Sequence, residues 1–269
     1  MSIITISRGS YSKGKEIAER VSDRLGYTCI SRDIVLEASE EFNVPEIKLI
    51  RAIHDAPSIF NTLGLNKKKY VAYIQSALLH HFKKDNIVYH GLAGHYFVQD
   101  IPHVLKVRII ADMDTRVAEE MKREGIAREE ALRILRMDDE ERRKWGQTLY
   151  GIDTADSSLY DMKINIHRIT VDHAVDLICN TIRYEEFQTT EESRRMLDDL
   201  ILAADANTTL LNAGFDTEVS AENGVVQVEV HIPLSYKRAF TRDIEGVLSG
   251  LKGITAIKIN VVPITSLSE

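Results

Sequence analysis

Short apolar runs alternate with stretches of helical spacing through the first 187 residues. Ser2–Ser7 is alternating and β-branched and reads as a short buried strand. A Gly- and Ser-containing turn, Arg8–Gly14, leads into an amphipathic helix from about Lys15 to Leu25, with Ile17, Ala18, Val21 and Leu25 at helical spacing. Gly26 stops that helix, Tyr27–Ile30 is a second apolar run, and a further helix begins after Ser31. Pro45–Asp55 reads as helical with Pro in its first turn, and Lys67–Lys84 as a long helix ending in a basic pair. Asn86–His90 and Val104–Ile110 are strands separated by a short helix in Gly91–Val98. Thr115–Glu124 and the charge-dense Ala127–Lys144 are helical, residues 146–160 are loop-like, Met162–His167 is a strand and Val171–Phe187 a helix. Strands alternating with helices predict a parallel α/β sheet with crossovers.

The grammar changes near Thr189. Glu191–Asp205 reads as a helix, and Phe215–Ser220 and Val225–Ile232 flank Asn223-Gly224, a hairpin signal. Ser235–Leu251 follows as a helix and Ile254–Val262 as a strand. The expected organisation is an α/β domain over 1–188 and a small α+β domain, α-β-β-α-β, over 189–269.

Composition narrows the class. Of 269 residues, 44% are hydrophobic and 28% charged, with only 14 Gly and 5 Pro, so the chain can bury a core and is not disordered. The net charge of -7 is uneven: residues 190–269 hold 7 basic and 12 acidic groups, leaving 27 and 29 in residues 1–189. Neither part has the basic excess of a non-specific nucleic-acid binder, so no nucleic-acid partner is expected. No apolar run nears the ~20 residues of a membrane span, and the N-terminus lacks a signal peptide's basic start. Cys29 and Cys179 stand in no metal-ligand spacing. These features predict a cytoplasmic protein with reduced thiols and no protein-held metal.

The most informative segment is the first strand-to-helix turn. A strand, a small-residue loop and a helix start form a phosphate cradle, in which backbone N–H groups and the helix dipole favour an anion. Gly9-x-x-x-x-Gly14-Lys15 meets the P-loop spacing up to its last position, where Glu16 replaces the hydroxyl residue that would touch Mg²⁺.

SRGSYSKGKEIAERVSDRLGY resembles the opening of the cytidylate kinase-like proteins, a branch of the P-loop nucleoside monophosphate kinases. Ser7, Arg8, Ser12, Gly14, Glu16, Ile17 and Ala18 agree with that opening without a gap, and Glu16 is normal there. The branch's two loop glycines fall on Tyr11 and Lys13, and its usual Arg on Lys15. The resemblance therefore implies a P-loop NTPase-like sheet that binds ATP with Mg²⁺ through Arg8, Gly9, Ser10, Ser12, Lys13, Gly14, Lys15 and Glu16. Either Lys13 or Lys15 reaches the phosphates, and the sequence does not choose. Tyr11 and Lys13 take a positive φ only at a cost.

Further along, Tyr27–Asp33 is similar to the segment that places an Asp before a helix; Asp33 would face the acceptor, or it or Ser31 caps the helix. Residues 87–98 are similar to a strand and short helix carrying a Gly-Arg pair, but position 92 is Leu. Asp139-Glu140-Glu141-Arg142 matches the lid's Asp-x-x-Arg, with Arg136 upstream. By the resemblance Arg142 closes on the transferring phosphate and Arg136 on substrate; otherwise the run is a solvated, ion-paired face. Asp156–Asn165 is similar to D-P-S-x-Y-D-L-x-I-N, with Tyr160 and Ile164 packing the last strand and Thr154 at the branch's Trp.

Residues 191–265 resemble a BON domain on Leu202–Ala206, Glu222–Val226 and Leu251–Ile254. That implies a binding module, through which a second copy or another protein would dock. The expectation is phosphoryl transfer from ATP to a nucleoside monophosphate or other small acceptor, with Lys13, Lys15 and Arg142 catalytic. The rivals are a nucleotide sensor without turnover, suggested by Tyr11, Lys13 and Leu92, and an interaction protein using the fold as scaffold.

Overall fold

The computed structural model describes residues 1–9, 12–31, 33–46, 48–49, 65–91 and 94–264, apart from the side chains of 33, 66, 145 and 148–150. Ser10, Tyr11, Arg32 and Leu92 lie outside the described residues, as does most of the helix expected over Pro45–Asp55. The chain divides into two compact units, Met1–Thr62 with Lys84–Thr190, and Leu63–Lys83 with Glu191–Glu269.

The first unit is built on a five-stranded sheet of β1 (Ile3–Arg8), β2 (Thr28–Ile30), β3 (Ile87–His90), β4 (Val104–Ile110) and β5 (Met162–Asn165). The spatial order is β2-β3-β1-β4-β5 and every pair is parallel, Ile6 aligning with His90 and Ser7 with Arg108. Parallel sheets are covered on both faces, so β1 is buried from Ile3 to Ser7. Ile17, Ala18 and Val21 of α1 (Gly14–Leu25) and Ala174, Val175 and Ile178 of α7 (Val171–Thr181) pack with Ile4, Ile6, Val107 and Ile109. Arg20 pairs with Asp172 and Arg24 with Asp176. Among the described residues, the remaining α-helices of this unit are α2 (Asp33–Glu41), α4 (Gly94–Phe97), α5 (Met113–Glu124) and α6 (Arg128–Tyr150).

In the first unit two helix C-termini differ from the sequence expectation. Helix α6 continues to Tyr150, six residues past Lys144, and stops at Gly151 with φ 67°. The polar GQTLY stretch is helical because Gly146 admits close neighbours: a Cβ there would lie 2.6 Å from the Tyr96 hydroxyl and 2.8 Å from the Ile152 carbonyl. Helix α7 ends at Thr181, not Phe187. The turn after it is held by the Gln188 side-chain amide, which donates to the Ile182 carbonyl at 2.7 Å.

The second unit joins α3 (Leu65–Phe82) to α8 (Glu191–Asn212), β6 (Glu218–Glu222), β7 (Val225–Ile232), α9 (Lys237–Leu248) and β8 (Ala256–Pro263). The β6–β7 hairpin turns on Asn223 (φ 51°) and Gly224 (φ 77°), a left-handed pair that suits Asn-Gly. Asp199 accepts the N–H groups of both turn residues, at 2.7 and 2.9 Å. β8 pairs parallel to β7 after the α9 crossover. Val226, Val228, Val230 and Ile232, on one face of β7, pack on Leu202, Ala206 and Leu210 of α8 and on Ile244 and Leu248 of α9. Helix α8 outruns the expected Asp205 because its buried positions continue through Ala206, Leu210 and Leu211.

Helix α3, which the sequence places within the first domain, packs in the second unit against α8. Lys68 bonds Asp216 at 2.7 Å, Ser76 donates to Asp205 at 2.7 Å, Lys83 pairs with Asp198 at 2.7 Å, and Tyr73 donates to Asn212. His80 Nε2 lies 3.0 Å from the Asp205 carboxylate. Among the described residues no helix is long and apolar enough to cross a membrane.

Candidate active site

The site grows from the end of β1. Gly9 donates its N–H to the Ile109 carbonyl at 3.1 Å, carrying the chain off the sheet. Ser12 is buried, and its Oγ lies 3.0 Å from both the Gly9 and Ile109 carbonyls, so its hydroxyl ties the loop down. Lys13 takes the left-handed conformation that the missing glycine would have taken, with φ 60° and ψ 16°. The loop keeps the glycine-type turn and bears the strain, about 1–3 kcal/mol for a non-glycine residue there.

Lys13 is also the N-cap of α1 and makes no side-chain cap. The first N–H groups of a helix have no partner within it, so this N-terminus presents donors and a positive dipole end to an anion. Gly14 opens the helix beneath Arg8: a Cβ would lie 2.8 Å from Arg8 Cβ and 2.9 Å from its Cδ.

In front of this turn lies a cavity of 730 Å³ lined by Arg8, Gly9, Lys15, Arg136 and Arg142 among the expected residues. Lys13, Gly14 and Glu16 are not in its wall. Lys13 and Glu16 are exposed, and Glu16 sits 3.9 Å from Arg20. Lys15 faces Glu19 at 3.6 Å with both side chains exposed, a pair that constrains it little. Ser10 and the side chain of Asp33 lie outside the described residues.

Among the described residues, Arg108, Arg116 and Arg143 complete a lining of seven cationic side chains against the three carboxylates Asp139, Glu140 and Asp153. Arg116 on α5 is buried and meets Asp139 of α6 with two parallel bonds of 2.8 Å. This fork joins α5 to α6. Arg142, one turn on, donates to the Arg8 carbonyl at 3.3 Å. Burial holds its pKa below the ordinary arginine value; Asp138 and Asp139 oppose that, and Arg8 and Arg116 add to it. It stays charged, among like charges that favour an incoming anion. Arg136 is exposed and makes no ion pair or hydrogen bond among the described residues, whereas Arg143 bonds Glu140 at 2.9 Å.

Another polar network lies at the β4 side. Arg108 Nη1 donates to the Tyr160 hydroxyl at 3.0 Å and to Ser7 Oγ at 3.3 Å. The Tyr160 oxygen is also 3.1 Å from His95 Nε2 and 3.1 Å from the Thr154 carbonyl. Burial, then Arg108 and Lys106, push the His95 pKa down to about 3. The imidazole is therefore neutral; the Tyr160 hydroxyl accepts from Arg108 and donates to the Thr154 carbonyl, and His95 Nε2 shares its oxygen in a direction that the tautomer sets.

Acidification should expose this network. The folded His95 titrates at about 3 against an ordinary 6.5, so between those values the unfolded chain binds the extra proton. Stability therefore falls as pH drops below about 6.5 and keeps falling toward 3. The loss between pH 8 and pH 5 is about 2 kcal/mol. Urea midpoints of the wild type and His95→Gln, measured at both pH values, should differ in slope by that amount. Parallel profiles would remove His95 as the source.

The sequence singled out the P-loop and the lid run but missed Arg108, Arg116 and the Tyr160–His95 contact. Arg108 did leave a signal. Lys106 and Arg108 alternate within Val104–Ile110, an otherwise apolar strand of a doubly covered sheet. Charges two apart in such a strand mark one polar face.

The model of the cytidylate kinase-like family matches residues 3–168. The chain belongs to the cytidylate kinase-like family. Among cytidylate kinase-like relatives, the cytidylate kinase of Archaeoglobus fulgidus is 28% identical over 192 residues, 69% of this chain and 97% of its own length. That of Methanopyrus kandleri is 25% identical over 177 residues, 65% of this chain and 90% of its own length. An uncharacterized protein from Eubacterium ventriosum shares the fold at TM-score 0.54 and 22% identity, covering 67% of this chain and 97% of that one. The family match contains the loop, Arg108, the lid pair and Tyr160, and it ends before α8 begins.

Proposed function

We propose that this protein transfers the γ-phosphoryl group of ATP to a nucleoside monophosphate or another small acceptor. The observation that carries this reading is the cluster of seven cationic side chains in one cavity beside the uncapped start of α1. The first unit carries 23 basic and 29 acidic groups and is net acidic, so the cluster is a local arrangement for a polyanion. Phosphoryl transfer asks a protein mainly to position its substrates and neutralise spreading charge.

ATP fits this frame. The first N–H groups of α1 and Lys15 would hold its terminal phosphates, with Arg8 and Arg142 around the transferring group. Lys13 contributes by shaping the turn, and Arg136, still unpaired by protein among the described residues, closes from the lid. Mg²⁺, when bound with ATP, would offset the phosphate charge. Glu16, in place of a hydroxyl, lies outside the cavity wall and near Arg20, so the loop would hold the metal through ATP rather than through a side chain of its own. Residues 1–188 would form the kinase domain, less α3, which packs in the second compact unit. Residues 189–269, with their α-β-β-α-β order, would form a BON-like module for a ligand, lipid or partner.

The test is ADP release across a panel of nucleoside monophosphates and other phosphate or hydroxyl acceptors. ADP is expected only when an acceptor is present. Lys13→Ala/Lys15→Ala should lose turnover while keeping its far-UV spectrum. ATP binding without turnover on any acceptor would replace this reading with nucleotide sensing.

A further inference from the structure

The cations of the cavity fall into two sets with different attachments. Arg8, Arg116 and Arg142 surround the loop and lid: Arg142 bonds the Arg8 carbonyl, and Arg116 lies 3.8 Å from where a Gly9 Cβ would be. Arg108 belongs to another set. It rises from β4 and is bound to Ser7 and Tyr160, and through Tyr160 to His95 of α4, the helix that follows the His90–Gly91 end of β3.

The bonding of Arg108 is unusual for a half-buried charge. Both of its hydrogen bonds use Nη1 and end on neutral hydroxyls. Among the described residues it has no carboxylate partner, and its Nε and Nη2 make no hydrogen bond. The guanidinium also sits 5.4 Å from the centre of the Tyr160 ring, which orients it without neutralising it. A half-buried cation without a counter-charge carries a desolvation cost, and a guanidinium offers five donors in a rigid fork. One edge is therefore fixed by the protein, and the other matches the paired oxygens of a phosphate.

We propose that Arg108 is the anchor for the phosphate of the acceptor, a phosphomonoester bound at the β3–β4 side of the cavity, with Tyr160 as the residue that positions it. The identity of this anion as an acceptor rests on the phosphoryl-transfer reading. The anion site itself rests on the geometry of Arg108. Position 92, where the resemblance would put an arginine, is Leu, and Arg108 supplies a guanidinium from a different strand.

Titration calorimetry of the full chain tests this with ATP, CMP, UMP, AMP, GMP and inorganic phosphate as probes. The wild type is expected to bind at least one monophosphate. Arg108→Met should weaken that binding about 10- to 100-fold and leave ATP affinity within about twofold. Arg108→Lys keeps the charge but not the fork and should recover only part. Tyr160→Phe keeps Arg108 but removes its hydroxyl support, and should lose a smaller factor, about threefold to tenfold. Unchanged monophosphate affinity in Arg108→Met, an equal loss for ATP, or no binding of any monophosphate or phosphate to the wild type would each overturn the proposal. If Arg108→Met loses the monophosphate but the wild type releases no ADP, the anion site stands and phosphoryl transfer falls.

Discussion

Arg142→Ala is expected to lower kcat about a thousandfold while leaving the protein folded. Arg142 is half-buried and near Arg8 and Arg116, so its charge acts at short range and with little screening by water. Its bond to the Arg8 carbonyl uses a single nitrogen at 3.3 Å and leaves other donors for a ligand. Losing that bond costs the fold little, about 1 kcal/mol. The loss should appear in kcat more than in ATP affinity, because charge on the transferring group spreads most in the transition state. Steady-state ADP release and a separate ATP titration divide the two effects. A drop below tenfold in kcat would set Arg142 outside the chemistry and make it a lid contact only.

Gly94→Ala should destabilise the protein by about 2–3 kcal/mol. Gly94 begins α4, and a Cβ there would stand 2.3 Å from Tyr89 Cδ1 and 2.5 Å from its Cε1. The obstacle is the body of an aromatic ring, not a flexible chain end. Tyr89 is itself buried and borders the cavity, so the ring can give way only by moving into the site. Gly91 bounds the same ring, with its would-be Cβ 2.4 Å from the Tyr89 hydroxyl. Thermal or urea unfolding reads the loss. In Gly94→Ala/Tyr89→Leu the two costs should be less than additive, since the smaller side chain relieves the overlap. Strict additivity would mean that the strain lies elsewhere. Because α4 also carries His95, the single variant should weaken the acceptor side more than the ATP side.

The parts of this site that were legible in the sequence are those written in consecutive residues. The loop could be read because strand, glycines and helix start are contiguous, and Asp139 to Arg142 because both lie on one helix. The Arg116–Asp139 fork spans 23 residues and two helices. A charged position on a helix does not announce which distant carboxylate it will meet. Tyr160 was expected to pack the last strand, which places its ring but not the four polar neighbours of its oxygen. Lys13 shows the limit of residue preference: the fold demanded a left-handed turn there, and a lysine adopts it. Helix α3 was visible as a helix from its pattern, but amphipathicity gives a face and not the surface that will cover it.

That last helix also makes the two units inseparable as genes are cut. A fragment ending at residue 189 would keep α3 but lack α8, leaving Ser76, His80 and Lys83 without the aspartates they bond. A fragment starting at residue 191 would lack the helix that α8 packs on. During synthesis α3 emerges about a hundred residues ahead of α8, which at ribosomal speed is on the order of ten seconds. For that interval a finished helix waits on the nascent chain for its partner.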